Sequence, residues 1–414
     1  MKILHFADAH IDTNRSGKKD PATGLPERSI DYINALDKII ETAINEKVKM
    51  VLFSGDTYRS HTTIPVYQKI WETRIRKLSD NGIFTILLTG NHDISPSITS
   101  PSSMQEFETL GIANVILIDK PTILYPGQLN GLPVQIIGIP YIQKSQLLRN
   151  FKDSQNVNLD FENVLMELIN KFIESLNPEI PTIAMGHFSI QGATFSSEQI
   201  IRFGADIVIN KALFQSDLID YVALGHIHKF QNVNEGKYPA MIYSGSIEKN
   251  DFGEINDDKG FIMVDLERCK TTYEFRKLEG REYIDLEAEL TDTIEIKDFM
   301  DSIKTINGKN AIIRIRIKCN EEINSLIDSR EIRKIFDDSF ELYLEININH
   351  YVRDSIHLDS SQFNDPEYLL NQYWNSTKQE NKDELLKLAK QIINACNQGI
   401  KPDEFINNTE AVND

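Results

Sequence analysis

The sequence predicts an α/β protein: a largely parallel sheet, a second sheet packed on it with helices outside, then a small α+β unit and a helical C-terminal region. Three observations carry this. Residues 1–118 alternate strand and helix patterns, and residues 121–280 are richer in strands. From residue 281 the pattern shifts to short alternating elements and then to polar helices.

The first strand is the apolar run Lys2–Ala7. Ile30, Ile33, Leu36, Ile39, Ile40 and Ala43 then recur at helical spacing. A strand at Val48–Phe53, a helix from about Ile64 to Leu78, a strand at Phe84–Leu88 and a short helix around Met104–Leu110 follow. Ile64, Val66, Tyr67, Ile70 and Trp71 crowd the second helix, and core packing is their expected role. Farther on come helices near 143–149 and 160–175, strands at Thr182–Met185 and Tyr221–Leu224, and hairpin-like segments from about 240 to 278.

Residues 281–352 read as strand (282–289), helix (295–304), strand (310–318), helix (329–337) and strand (341–348). Asn364-Asp365-Pro366-Glu367 is an N-cap followed by proline at the first helical position. Leu385, Leu388, Ala389, Ile392, Ile393 and Cys396 line one face of a second helix, which Gly399 and Pro402 stop. The expected domains are residues 1–280, 281–352 and a helical arm at 353–402, with a disordered tail at 403–414.

At 414 residues the chain suggests two or three domains, and 41% apolar with 26% charged residues is normal for a globular protein. No apolar stretch approaches the ~18 residues of a membrane span, and the N-terminus enters a strand without the pattern of a signal peptide. Three scattered cysteines, Cys269, Cys319 and Cys396, fit a reduced compartment, so a cytoplasmic location is expected. Of the net charge of −18, −11 falls on residues 281–414. That distribution neither supports nor excludes a nucleic-acid partner.

Five polar clusters each follow directly on an apolar run: Asp8-Ala9-His10, Gly55-Asp56, Gly90-Asn91-His92-Asp93, Gly186-His187 and Gly225-His226-Ile227-His228. They therefore sit where strands leave a sheet, the edge at which open α/β sheets place their chemistry. Pooled, they offer Asp, Asn and His but no Cys, a donor set for Mn²⁺, Fe²⁺ or Zn²⁺ with room for two ions. Asp8 and His10, two apart in an extended segment, would point to one side, and His226 and His228 would repeat that geometry. The glycines before Asp56, Asn91, His187 and His226 would let the chain turn sharply beside the ions. Two ions held ~3.5–4 Å apart activate water and grip phosphate oxygens. His92 is placed to protonate the departing alkoxide as general acid, with Asp93 orienting its ring. Core or surface packing would explain one such histidine, but five of the nine share this context. His5, inside a strand, is expected to be a satisfied core histidine; His350 and His357 lie in polar linker sequence.

In order and spacing these motifs resemble the calcineurin-like metallophosphoesterase superfamily over about residues 1–280. The resemblance implies a four-layer αββα sandwich around a dinuclear centre. It also implies one ion on Asp8, His10 and His228, the other on Asn91, His187 and His226, and Asp56 as the bridge. A narrower resemblance, to SbcD-type DNA repair nucleases, rests on Arg28-Ser-Ile-Asp31 and on Tyr243-Ser-Gly-Ser-Ile-Glu-Lys-Asn-Asp-Phe-Gly-Glu254. The appended α+β unit is similar to that branch's capping domain, and the C-terminal helices to its ATPase-binding part. The branch implies Mn²⁺-dependent 3′-to-5′ exonuclease action on duplex DNA ends and endonuclease action on single-stranded or hairpin DNA. It further implies a homodimer, dimerising through the second helix, joined to an SbcC-type coiled-coil ATPase in the cytoplasm at the nucleoid. Some members carry a further histidine shortly after the bridging aspartate; here Arg59 stands at that place and His61 two residues later. The alternative is a dinuclear phosphoesterase acting on a small phosphate ester or cyclic nucleotide.

Arg314, Arg316 and Lys318 form a basic stripe that is expected to pair with Glu341 and Glu345 on the next strand rather than with DNA phosphates. Tyr368, Leu369, Tyr373 and Trp374 give the first C-terminal helix an aromatic stripe suited to a partner-binding arm.

Overall fold

The computed structural model describes residues 1–13, 18–94, 104, 107, 111–142, 157–196, 208–348, 365–376 and 381–397. The chain divides into two compact units. One is Met1–Asp285 with Gly308–Ile313 and Asp338–Glu341; the other is Leu286–Asn307, Arg314–Asp337 and Leu342–Asp414.

The strands of the first unit are, in chain order, β1 (Lys2–Phe6), β2 (Met50–Phe53), β3 (Phe84–Leu88), β4 (Val115–Ile118), β5 (Thr122–Leu124), β6 (Gln135–Ile139) and β7 (Thr182–His187). After a small pair, β8 (Ser189–Ile190) and β9 (Val208–Ile209), come β10 (Tyr221–Gly225), β11 (Gln231–Asn232), β12 (Ala240–Tyr243), β13 (Gly260–Asp265) and β14 (Thr272–Lys277). Its helices include α1 (Glu27–Asn45), α2 (Pro65–Asp80) and α3 (Val157–Glu174). One six-stranded sheet runs β14-β13-β1-β2-β3-β4 and a second runs β11-β12-β10-β7-β6-β5. Strands β1 to β4 are parallel in the first; β12, β10, β7 and β6 are parallel in the second.

Successive residues of the central strands feed different cores, because side chains alternate across a pleated sheet. Leu4, Phe6, Val51 and Phe53 pack against Tyr32, Leu36, Ile39, Trp71 and Ile75 of α1 and α2. Ile3, Met50, Leu52 and Ile86 join Ile136, Ile183, Met185, Tyr221 and Ala223 between the sheets. Ile137, Ala184, Val222 and Leu224 pack on Leu165 and Ile169 of α3. Three cores separate four layers: helix, sheet, sheet, helix. Strands buried on both faces must be apolar throughout, which is why these segments show unbroken runs rather than alternation. Each fully buried Leu, Ile or Phe contributes about 1.5–3 kcal/mol. A one-residue register slip would swap every face and is strongly disfavoured.

His5 is fully buried, with Nδ1 3.0 Å from the Tyr221 hydroxyl and Nε2 3.1 Å from Ser54 Oγ, the satisfied core histidine expected of it. In α2, Tyr67 and Trp71 are core, whereas Val66 and Ile64, the residue just before the helix, are exposed. Within the hairpin region expected at about 240 to 278, β13–β14 is an antiparallel pair, whereas β12 joins β10 in parallel register and pairs antiparallel with β11, which precedes that region. Most of the helix expected at Met104–Leu110, the one near 143–149, His350, His357 and the 403–414 tail lie outside the described residues.

The three-stranded sheet β15 (Tyr283–Leu290), β16 (Ile312–Cys319) and β17 (Glu341–Ile348) has β16 at its centre. Its helices are α4 (Thr293–Ile303), α5 (Glu321–Leu326) and α6 (Ser329–Ile335). Asp292, Asn320 and Asp328 cap them by accepting first-turn N–H bonds. The short helix α5 is not foreshadowed in the sequence: its six residues are too few to show a periodicity. Arg316 and Lys318 do pair across strands, but with Glu287 of β15 (3.4 and 2.8 Å) rather than with the expected acids of β17. A central strand has two neighbours, and the sequence does not say which supplies the carboxylate. Helix α7 (Pro366–Ser376) is capped by Asp365, and Lys390 of α8 (Lys382–Asn397) pairs with Glu367 at 3.0 Å. Tyr373 and Leu388 of this helix pair are exposed. Among the described residues no helix is long and apolar enough to cross a membrane.

Candidate metal centre

Asp8, Asp56, Asn91, His187 and His226 stand at or just beyond the carboxyl ends of β1, β2, β3, β7 and β10, all parallel strands within their sheets. His10 and His228 follow two residues after the first and last of these. The convergence does not come from extended alternation. Asp8 (φ 51°), His10 (φ 40°), Asp56 (φ 62°) and His226 (φ 94°) all adopt the left-handed region, uncommon for residues with a side chain. Such strain costs on the order of 1–3 kcal/mol per residue and persists where surroundings over-determine it, typically at functional sites. The turn is held by Asp8 N–H donating to the Gly55 carbonyl (2.9 Å) and Ala9 N–H to the Asp56 carbonyl (2.8 Å).

Only one of the four cluster glycines turns the chain with positive φ: Gly55, at 98°. Gly90 serves by being small. A Cβ there would collide with the Asp56 carboxylate and lie 2.7 Å from His187 Cε1.

The side chains form two groups around one carboxylate. His10 Nε2 and His228 Nε2 face each other at 3.2 Å. On the other side Asn91 Oδ1 lies 3.1 Å from His187 Nε2 and 2.9 Å from His226 Nδ1. Asp56 Oδ2 sits between, 3.8 Å from His10 Nε2 and 3.4 Å from His187 Nε2. It is buried and accepts no hydrogen bond. A fully desolvated carboxylate oxygen without a donor is costly unless a cation meets it, so this atom fits a bridging position. Asp8 reaches both groups, its carboxylate within 4.8 Å of the His10 and His228 donors and of those of Asp56 and His187.

Three imidazoles are oriented alike. His187 Nδ1 lies 2.6 Å from the Ser54 carbonyl, His10 Nδ1 3.2 Å from the Tyr58 carbonyl, and His228 Nδ1 2.9 Å from Glu254 Oε1. An acceptor at Nδ1 places the proton there and leaves the Nε2 lone pair facing inward, the tautomer that binds metal. Burial pushes the Asp8 carboxyl up to about 6 and holds His10 well below its ordinary value. Burial also opposes ionisation of Asp56, but His187 and His92 outweigh it and keep this carboxylate well below the usual range. For His187, burial lowers and Asp56 raises, leaving it at about 9, so without an ion its Nε2 also carries a proton facing Asp56, which metal binding would displace.

His92 is at the rim, its Nδ1 2.8 Å from the Arg59 carbonyl and its ring 5.2 Å from that of His10. A backbone carbonyl therefore orients the ring. The Asp93 carboxylate accepts the N–H groups of Asp56 (2.9 Å), Thr57 (3.0 Å) and Gly90 (2.9 Å), tying the Gly55 and Gly90 loops together. Burial beside Asp56 pushes this carboxyl up to about 7, against three donors that favour the anion. His61 and Arg59 are exposed. The Ser54, Tyr58 and Arg59 carbonyls carry no sequence signal. Glu254 is visible in the sequence as an acid, but nothing there shows that it meets His228.

Oxygen and imidazole donors without thiolate, two left-handed aspartates and an orphaned carboxylate define a metal-dependent phosphoesterase with a site suited to two divalent ions. Residues 1–230 match the family model for calcineurin-like phosphoesterases, and the chain belongs to that family. Among solved structures it is similar to a dimetal phosphatase from Danio rerio (11% identity over 67% of this chain and 96% of that one, TM-score 0.39). It is also similar to a purple acid phosphatase from yellow lupin seeds (13%, 67% and 51%, TM-score 0.38) and a protein of Thermus thermophilus (12%, 66% and 98%, TM-score 0.35).

Proposed function

We propose that this protein is the nuclease subunit of an SbcCD-type double-strand-break repair complex. In this reading it is a Mn²⁺-dependent 3′-to-5′ exonuclease on duplex DNA ends and an endonuclease on single-stranded or hairpin DNA. The observation that carries the step from phosphoester to DNA is a contact between the two segments of the narrower resemblance. Arg28 donates to Glu248 Oε1 (3.3 Å) and to the Lys249 carbonyl, and Tyr32 donates to the same carbonyl (2.9 Å) and to Asn250 Oδ1 (2.9 Å). The segment they hold ends at Glu254, on His228. These two stretches thus act as one structural device supporting the centre, which favours the branch over a generic phosphatase.

In this reading Asp8, His10 and His228 would hold one ion and Asn91, His187 and His226 the other, with Asp56 shared between them. Two such ions would supply a hydroxide near neutral pH and a clamp for phosphate oxygens. In the hydrolysis phosphorus would gain a water-derived oxygen and lose the sugar oxygen on the opposite side. His92, its Nδ1–H donated to the Arg59 carbonyl, delivers the Nε2 proton to that departing alkoxide. The C-terminal helices α7 and α8, with Tyr373 and Leu388 exposed, are assigned to the coiled-coil ATPase, and exposed Ile64 and Val66 to a homodimer contact.

The test is degradation of linear duplex and hairpin DNA by purified protein with Mn²⁺. Hydrolysis confined to small phosphate esters or cyclic nucleotides would overturn the nuclease reading. Removal of residues 360–414 is expected to abolish co-purification with the ATPase while metal uptake persists.

A further inference from the structure

The His228 imidazole differs from those of His10 and His187 in what stands behind it. His10 and His187 rest on neutral backbone carbonyls, whereas His228 Nδ1 lies 2.9 Å from a carboxylate oxygen of Glu254. Glu254 is fully buried. Its other oxygen is 3.0 Å from the Lys259 ammonium and accepts the Asn250 N–H at 2.8 Å. Lys259, itself almost fully buried, also donates to the His228 carbonyl at 2.9 Å, and the Asn250 side-chain amide donates to Glu254 Oε1 at 3.4 Å. Asp251 accepts the Gly253 N–H at 2.8 Å and so shapes the short turn that presents Glu254.

A buried ion pair adds little to stability, because desolvating two charges cancels most of their attraction. Glu254 and Lys259 therefore call for a different explanation, and the geometry supplies one. We infer that Glu254, anchored by Lys259 and Asn250, is a positioning residue that fixes and strengthens His228 as a donor, making the two metal positions unequal. This rests on the dinuclear reading given above. A carboxylate accepting Nδ1–H locks the ring and its tautomer and increases electron density at Nε2, which faces His10 and Asp8. The position on Asp8, His10 and His228 then binds more tightly than the one on Asn91, His187 and His226, where His187 is backed by the neutral Ser54 carbonyl and Asn91 offers an uncharged amide oxygen.

The experiment is calorimetric titration of the metal-depleted full chain with Mn²⁺, for wild type, E254Q, E254D, K259M and N250A, with metal-free melting of each to check folding. The wild type is expected to bind two ions with separable affinities. E254Q should weaken the tighter one about 10- to 100-fold, the range typical of such outer partners, and leave the weaker one near its wild-type value. E254D should recover part of the loss, and K259M and N250A should each show a smaller loss at the same ion. E254Q binding both ions as the wild type does, or weakening both equally, would overturn the inference. Should the wild type take up no Mn²⁺ at all, the dinuclear reading itself falls.

Discussion

His10 Nε2 and His228 Nε2 lie 3.2 Å apart although 218 residues separate them in sequence. Both rings already have an Nδ1 partner, the Tyr58 carbonyl and the Glu254 carboxylate, so both present lone pairs to the same point. Two lone pairs at this distance repel unless a proton or a cation lies between them. Burial disfavours the proton on His10, holding it well below its ordinary value. A divalent cation at that point would find its countercharge in the buried Asp8 and Asp56 carboxylates.

Divalent metal is therefore expected to stabilise the fold. A ligand bound only to the native state adds about 2.7 kcal/mol at a free concentration 100 times its Kd. Melting of metal-depleted protein should shift upward with Mn²⁺ and return with a chelator. A melting curve indifferent to both would rule out the site as a metal centre.

Gly90→Ala is expected to damage the site selectively. The added Cβ would meet the Asp56 carboxylate and lie 2.5 Å from the Asp56 backbone nitrogen, neither of which can yield without shifting Asp56. Overpacking of this kind costs about 1–3 kcal/mol, and bound metal should fall below the wild-type stoichiometry. Gly127→Ala is the control, since nothing lies within 4 Å of a Cβ there and its φ is ordinary. Equal metal content in the two variants would show that the loop tolerates the methyl group.

The layers were legible because strands buried on both faces must be apolar along their whole length, and Lys2–Phe6 and Tyr221–Leu224 nearly are. The candidate site residues stood out because they punctuate those runs with Asp, Asn and His, and the structure brings these seven side chains together with His92 at the rim. How they converge was not. Left-handed backbone at Asp8, His10 and His226 leaves only a weak trace in side-chain type, because Asp and His are enriched there but far more often adopt ordinary conformations. Adjacency in the sequence pairs Asp93 with His92, yet its carboxylate holds backbone amides 36 and 37 residues away as well as that of Gly90. The choice of Glu287 over Glu341 and Glu345 depends on which neighbouring strand presents its acid, a tertiary matter.

His92→Gln should lower hydrolysis by about 10²–10⁴-fold, the usual contribution of general acid catalysis, while metal content stays unchanged. The ring touches the Arg59 carbonyl and stands beside His10 rather than among the inward-facing donors, so its loss leaves them in place. A diester with a p-nitrophenolate leaving group, which departs without a proton, should lose far less activity than DNA. Equal losses on both substrates would exclude His92 as the acid.

His5 carries a pH prediction independent of the metal. Burial between Ser54 and Tyr221 lowers it from 6.5 to about 3, so the native state holds it neutral. Below pH 6.5 the unfolded chain binds a proton there that the folded chain does not, and stability falls as pH falls. The slope is about 1.4 kcal/mol per pH unit, roughly 2 kcal/mol by pH 5. His5→Gln should start from a lower stability, since both ring contacts are altered, yet lose less of it between pH 6.5 and 5. Chemical denaturation at stepped pH, in the presence of chelator, measures both slopes. Parallel slopes for the two proteins would mean that His5 takes up its proton in the native state as readily as in the unfolded chain, and that burial does not set its charge.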